Sequence, residues 1–113
     1  MTVEQNVPAT INDAGLTEKV APLLSKGIGE SNVKLTQPVM GGEDFSLYSD
    51  QNVPIFMFWL GTVAPEKIAD AKATGINLPA LHSALYAPEP GASITTGIRA
   101  MTAAVIGLLP PKS

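Results

Sequence analysis

A continuous apolar stretch in the middle of this sequence reads Val53-Pro54-Ile55-Phe56-Met57-Phe58-Trp59-Leu60, and Gly61 ends it. The stretch is long enough for a strand, and its aromatic residues favour one. Because no polar residues alternate with the apolar ones, both faces of such a strand are expected to be covered. The stretch therefore predicts the central strand of an α/β layer structure, with helices on either side of the sheet.

Two stretches with helical periodicity flank the predicted strand. Asn12 and Asp13 are candidate N-caps for the first helix, which Pro22 is expected to kink or divide. The second helix is predicted to end before Pro110. The apolar positions are Leu16, Val20, Leu23, Leu24 and Ile28 in the first helix, and Ile94, Ile98, Met101, Val105 and Leu108 in the second. Each apolar stripe is predicted to pack on the core.

The remaining segments are predicted to be short or irregular. Residues 3–11 are strand-like, but they contain a proline that favours an edge strand. Residues 32–37 alternate in polarity and predict a second short strand, whereas residues 44–49 predict a helical turn. Residues 64–74 are weakly helical. Residues 75–91 contain several prolines and are predicted to be a loop.

The composition predicts one soluble domain or less. The chain has 113 residues, of which 45% are hydrophobic and 15% charged. Its net charge is −3 and its seven basic residues are scattered, which argues against nucleic acid or an anionic membrane as a partner. We find no basic and apolar leader and no uninterrupted apolar run of membrane-spanning length. The absence of cysteine excludes disulfides and zinc-thiolate sites and fits a cytoplasmic location.

His82 is the only histidine of the chain, and it lies in the predicted loop between Leu81 and Ser83. Loops at the ends of a sheet are where α/β proteins commonly bind ligands. A lone imidazole cannot hold a catalytic metal or run a catalytic triad unaided. The sequence alone therefore leaves two interpretations of His82: it is one part of a larger site, or it is an ordinary packed or surface residue.

A second marked segment is Gly41-Gly42-Glu43-Asp44, which follows Met40 and precedes Phe45. The glycines permit a tight backbone turn and the close approach of another group. The two carboxylates have three possible roles: they can ligate a metal, orient a histidine, or cap the helical turn that follows. The spacing does not decide among these roles.

Four segments of the chain resemble, in order and spacing, the metallopeptidase family that contains hippurate hydrolase, N-acyl-amino-acid amidohydrolases and plant auxin-conjugate hydrolases. They are residues 6–13 (NVPATIND), 38–46 (PVMGGEDFS), 58–61 (FWLG) and 81–83 (LHS). The second and fourth segments are specific as a pair, although neither is specific alone. The resemblance runs over essentially the whole chain.

The resemblance implies the fold and the activity. It implies a three-layer α/β/α catalytic domain of the zinc-peptidase type, interrupted by a smaller lid domain that dimerises. Residues 1–12 are expected to be the remnant strand that leaves the lid domain, and residues 13–113 the C-terminal portion of the catalytic domain. The implied reaction is the metal-dependent hydrolysis of N-acyl amino acids or small peptides.

The resemblance also assigns site residues. His82 would be a ligand of a dinuclear centre of Zn, Mn, Co or Ni. Gly41, Gly42, Glu43 and Asp44 would line the substrate-binding part of the site. The family's Cys-x-His pair, its Glu-Glu pair with the general base, and a further histidine are missing from the chain. We therefore expect the isolated chain to bind metal weakly or not at all and to be inactive. Its expected partner is the missing N-terminal part of the enzyme or a further copy of itself.

Two other interpretations compete with an enzyme fragment. In the second interpretation, the chain is a stand-alone, non-catalytic α/β module that binds partners or self-assembles. Such a module would bury its exposed apolar faces by association. In the third interpretation it is a soluble α/β domain in which His82 has no special role.

Overall fold

The computed structural model describes residues 7–41 and 43–109. Within these residues the chain forms three α-helices and two short 3₁₀ helices. The α-helices are α1 (Ala14–Ile28), α2 (Pro65–Thr74) and α3 (Pro90–Leu108). The 3₁₀ helices are Glu30–Asn32 and Phe45–Gln51. The three α-helices and the helical turn after Asp44 confirm the helical part of the prediction.

The α/β prediction is wrong, because the structure is 53% helix and the described residues contain no strand or sheet. The predicted strands at residues 32–37 and 53–60 belong to no regular element. Residues 7–11 of the predicted lid strand also belong to no regular element. Residues 3–6 of that strand lie outside the described residues. A strand needs a neighbouring strand for its backbone hydrogen bonds, and apolar composition alone does not supply one.

Helix α1 begins directly after Asp13, one of the two predicted N-caps, and ends at a glycine. Asp13 is the N-cap, and its carboxylate accepts a hydrogen bond from the backbone N–H of Leu16 at 2.7 Å. Gly29 ends the helix with φ of 92°, a backbone conformation that glycine adopts without strain. Pro22 lies inside α1, and the helix continues through it without division.

The described residues form two compact units. The first unit comprises Met1–Phe58 and Ala100–Ser113, and the second comprises Trp59–Arg99. The predicted domain boundary between residues 12 and 13 stays a prediction. In the first unit the buried core joins α1 to the C-terminal half of α3. The core residues are Val20, Leu24, Ala100 and Ala104, with Leu16, Ile28, Val33, Phe56 and Phe58 packed against them.

The second unit contains α2 and the N-terminal half of α3. Pro65 begins α2 directly after the N-cap Ala64, and Gly75 ends it with φ of 71°. No residue of α2 is buried. The backbone N–H of Glu89 donates to the carbonyl oxygen of Thr62 at 2.7 Å, and the Thr62 and Tyr86 hydroxyls are hydrogen-bonded. These bonds connect the residues before α2 with those just before α3.

Helix α3 packs through a different face from the one predicted. The predicted stripe residues, Ile94, Ile98, Met101, Val105 and Leu108, are all exposed. Small residues are buried instead, among them Ser93, Ala100 and Ala104. At Gly107 an added Cβ would lie 2.3 Å from a methyl carbon of Leu23. Small side chains allow the helix backbone to approach its neighbours closely, which explains why this face, rather than the aliphatic one, is packed.

Candidate functional site

Glu43 stabilises the turn that leads into the helix Phe45–Gln51. One carboxylate oxygen, Oε2, accepts a hydrogen bond from the backbone N–H of Phe45 at 2.7 Å. The other, Oε1, accepts a hydrogen bond from the Thr10 hydroxyl, a residue 33 positions earlier in the chain. The side chain is partly buried. Both oxygens of Glu43 therefore serve the local structure, joining Thr10 to the start of the helix.

Asp44 differs from Glu43 in its surroundings. It occupies the N-cap position of the helix Phe45–Gln51, but its side chain makes no capping hydrogen bond. Asp44 is exposed. Its backbone carbonyl oxygen takes part in the turn by accepting a hydrogen bond from the backbone N–H of Leu47 at 3.1 Å. Of the two acids, Asp44 is thus the one whose carboxylate is accessible to a ligand. Gly41 is exposed, and Gly42 lies outside the described residues.

Two serine hydroxyls support the same turn. Ser46 has no exposed surface, and its hydroxyl donates to the carbonyl oxygen of Glu43 at 3.3 Å. The hydroxyl of Ser49 donates to the carbonyl oxygen of Ser46 at 2.6 Å. Both hydroxyls therefore satisfy backbone acceptors, which is a structural role.

His82 lies in a hydrogen-bonded turn of the second unit, and its side chain is exposed. The backbone N–H of Ser83 donates to the carbonyl oxygen of Ala80 at 2.9 Å, which places His82 at the third position of a β-turn. A second turn follows at once, with Tyr86 N donating to Ser83 O at 3.0 Å. The consecutive turns hold the backbone of His82 and leave its imidazole open to solvent.

The described residues do not assemble a metal site by themselves. His82 belongs to the second unit, whereas Gly41, Glu43 and Asp44 belong to the first. No group of three or more histidine, aspartate or glutamate side chains capable of holding a metal occurs in the part of the chain that the structure describes. A catalytic zinc site takes three protein ligands. The donor set of residues 7–41 and 43–109 therefore does not fit a catalytic metal, and the predicted role of His82 stays a prediction.

An apolar groove in the first unit was not predicted from the sequence. It has a volume of about 340 Å³ and lies among α1, the helix Phe45–Gln51, residues 53–58 and the end of α3. Its aromatic lining comes from Phe45, Tyr48, Phe56 and Phe58. The ring centroids are 5.6 Å apart in the Phe45–Tyr48 pair and 6.2 Å apart in the Phe56–Phe58 pair. The clustering of aromatic residues between positions 45 and 58 was the available signal in the sequence.

Comparison with known proteins identifies the family. No solved structure matches the chain. Residues 1–87, which are well over half of the 113 positions, match the sequence model of Peptidase family M20/M25/M40. This match includes both marked segments, at Gly41 to Asp44 and at His82. It confirms the predicted metallopeptidase resemblance at the level of the family, without selecting hippurate hydrolase within it. The chain belongs to Peptidase family M20/M25/M40.

Proposed function

We propose that this chain supplies part of the active site of a metal-dependent amidohydrolase that cleaves N-acyl amino acids or small peptides. The observation that carries the proposal is the family match over residues 1–87, which indicates a hydrolase of the peptidase type. Hippurate and related N-acyl amino acids are the substrates that the four resembling segments imply. A cytoplasmic location accompanies this proposal.

Within that site we assign His82 as a metal ligand. Its imidazole is exposed on a turn whose backbone is fixed by hydrogen bonds. Neutral imidazole is the commonest protein ligand for transition metals, and the family generally uses divalent metals. Zinc, manganese, cobalt and nickel are the candidate ions.

We separate the proposed roles of the two acids on the basis of their hydrogen bonds. Glu43 uses both carboxylate oxygens to hold Thr10 and Phe45, so its role is to position the turn. Asp44 is exposed and makes no capping bond, so its carboxylate is the one available to contact substrate or to orient another group. Gly41 and Gly42 stay proposed substrate-binding positions, because a glycine adds no side chain to a site.

The isolated chain is expected to be inactive. Metal-assisted amide hydrolysis needs a firmly held ion, a bound water and a base that accepts its proton. The described residues hold no group of three suitable ligands. The remaining ligands and the base must then come from polypeptide outside these residues, and the missing N-terminal part of the enzyme is the proposed source.

The first test is the sequence of the coding DNA upstream of Met1. An in-frame segment that encodes a Cys-x-His pair and a Glu-Glu pair would supply the missing groups. In the polypeptide so defined, His82→Ala is expected to lower the bound metal content and kcat for hippurate hydrolysis, and His82→Gln is expected to do the same. Metal-dependent hydrolysis of hippurate by the purified 113-residue chain would overturn the proposal of an incomplete site.

A further inference from the structure

The segment that carries His82 is a long connection without regular secondary structure. It comprises residues 75–89, between the end of α2 at Thr74 and the start of α3 at Pro90. Positions on a loop are held less precisely than positions on a helix, whereas a functional side chain must be held within about 0.5 Å. Ordering the loop also costs conformational entropy at each residue. A functional role for His82 therefore requires interactions that fix this loop.

Short-range hydrogen bonds give the loop its local conformation. The backbone N–H of Ser83 donates to the carbonyl oxygen of Ala80 at 2.9 Å, and that of Tyr86 donates to the carbonyl oxygen of Ser83 at 3.0 Å. The Ser83 hydroxyl accepts from the backbone N–H of Leu85 at 3.1 Å. All of these bonds join residues within the same consecutive turns. They define the conformation of residues 80–86, but they do not connect these residues to a helix.

Thr62 connects the loop to the start of α2. It lies two residues before Ala64, the N-cap of that helix. Its hydroxyl is hydrogen-bonded to the Tyr86 hydroxyl, and its carbonyl oxygen accepts from the backbone N–H of Glu89 at 2.7 Å. Within the part of the chain that the structure describes, these two hydrogen bonds are the ones that join residues 75–89 to a distant segment. Thr62 therefore anchors the loop with both its hydroxyl and its carbonyl oxygen.

Burial separates this anchor from the exposed histidine. Thr62 and Tyr86 are half-buried, whereas His82 is exposed. Partial burial shields the hydroxyl pair from water, so solvent does not fully replace a hydroxyl that is removed. Tyr86 follows His82 by four residues and is joined to Ser83 by a turn hydrogen bond. The position of the Tyr86 side chain therefore constrains the backbone of His82.

We propose that Thr62 and Tyr86 are positioning residues for His82, which hold its turn in place through the bond between their hydroxyls. The purpose of this positioning rests on the proposed function, in which His82 is a ligand. Both residues act through the backbone of residues 82–86 and not through the imidazole. The competing explanation is that the hydroxyl pair stabilises the second unit as a whole, without a specific effect on His82.

Closely matched variants separate the two explanations. Tyr86→Phe removes one hydroxyl and keeps the ring, and Thr62→Val removes the other hydroxyl with little change in side-chain size. Thr62→Ser keeps a hydroxyl at the same position and is the conservative variant. Tyr48→Phe is the control, because Tyr48 is the other tyrosine of the chain and belongs to the first unit.

The measurement is NMR of the 113-residue chain without metal or substrate. The backbone amide order parameter of His82 reports the mobility of its turn, and hydrogen exchange at the amides of Ser83 and Tyr86 reports its opening. We expect an order parameter of about 0.8 for the native chain and below about 0.6 for Tyr86→Phe and Thr62→Val. Exchange at the two amides is expected to rise about fivefold in these variants, which is the effect of one lost hydrogen bond.

The amides of α2 show whether the second unit loosens as a whole. Their exchange is expected to change by less than about twofold in every variant. Thr62→Ser and Tyr48→Phe are expected to keep the native order parameter of His82. Circular dichroism establishes that each variant retains its helices.

A mobile His82 turn in the native chain would overturn the proposal. So would an unchanged order parameter in both variants that lose a hydroxyl, or a Thr62→Ser chain as mobile as Thr62→Val. An equal rise in exchange across the turn and α2, or the loss of helices in both variants, would overturn it in favour of a role in the stability of the unit. None of these results depends on metal or on hydrolase activity, so the proposed function is tested separately.

Discussion

The side-chain amide of Asn12 pairs with the backbone of Met57 in both directions. The amide nitrogen of Asn12 donates to the carbonyl oxygen of Met57 at 2.8 Å, and the backbone N–H of Met57 donates to the amide oxygen at 2.8 Å. The backbone N–H of Asp13 also donates to the carbonyl oxygen of Ile55 at 2.8 Å. Two residues before α1 thus satisfy backbone groups of the apolar stretch that a neighbouring strand would satisfy in a sheet.

Asn12→Ala is expected to destabilise the first unit. The substitution leaves two backbone groups of Met57 without their partners, and each lost hydrogen bond costs about 1 kcal/mol. Because the pair is exposed, water replaces part of the loss, so we expect a total of about 1 kcal/mol. The measurement is urea unfolding followed by circular dichroism. Asn77→Ala, an exposed asparagine of the second unit, is the control, and equal urea midpoints for the two variants would contradict the assigned role.

Glu43→Ala and Asp44→Ala are expected to differ in stability although the two acids are adjacent. Removing the Glu43 carboxylate leaves the Thr10 hydroxyl and the Phe45 N–H unpaired, at a cost of about 1–3 kcal/mol. Asp44 makes no capping bond, so its substitution is expected to change stability by less than about 0.5 kcal/mol. Urea unfolding of both variants checks this difference. A larger loss for Asp44→Ala would reverse our assignment of the two roles.

Gly107→Ala is expected to be destabilising even though alanine favours helices. An added Cβ would lie 2.3 Å from one methyl carbon of Leu23 and 2.6 Å from the other, so that side chain must move. We expect the steric cost to exceed the gain of about 1 kcal/mol in helix propensity, giving a net loss of about 1 kcal/mol.

A double-mutant cycle with Leu23→Ala isolates the contact between residues 23 and 107. The two substitutions are expected to be coupled by at least about 0.5 kcal/mol, because the shorter side chain makes room for the new methyl group. Gly91→Ala is the control, since its added Cβ would meet only the Glu89 carboxylate at 3.9 Å. Additive effects of Leu23→Ala and Gly107→Ala on thermal unfolding would exclude close packing at this point.

His82→Ala is expected to leave the stability of the 113-residue chain within about 0.5 kcal/mol of the native value, because its side chain is exposed. The prediction separates a binding role from a structural one. Thermal unfolding of the two proteins without added metal provides the measurement, and Ser83→Ala serves as a comparison because its hydroxyl accepts from Leu85 N at 3.1 Å. A loss of more than about 1 kcal/mol for His82→Ala would show that the histidine supports the fold.

The helices and their ends were predictable because the interactions that specify them are local. Asp13 caps α1 through a residue three positions away, and Gly29 ends the same helix through its own backbone conformation. The marked segments around Glu43 and His82 were likewise visible in the sequence and lie within the family match. The role of Glu43 was not predictable, because its carboxylate contacts Thr10, which lies 33 residues earlier in the chain.

The sequence by itself determined where the α-helices form, which family the chain belongs to, and which residues are candidates for its chemistry. Only the tertiary structure decided that residues 53–60 form no strand and that α3 packs through its small residues rather than its aliphatic stripe. Capping and helical periodicity act within a few residues of each other, so they can be read directly along the chain. Strand pairing and the choice of a buried face depend on which distant surfaces meet, and periodicity shows only that an apolar face exists.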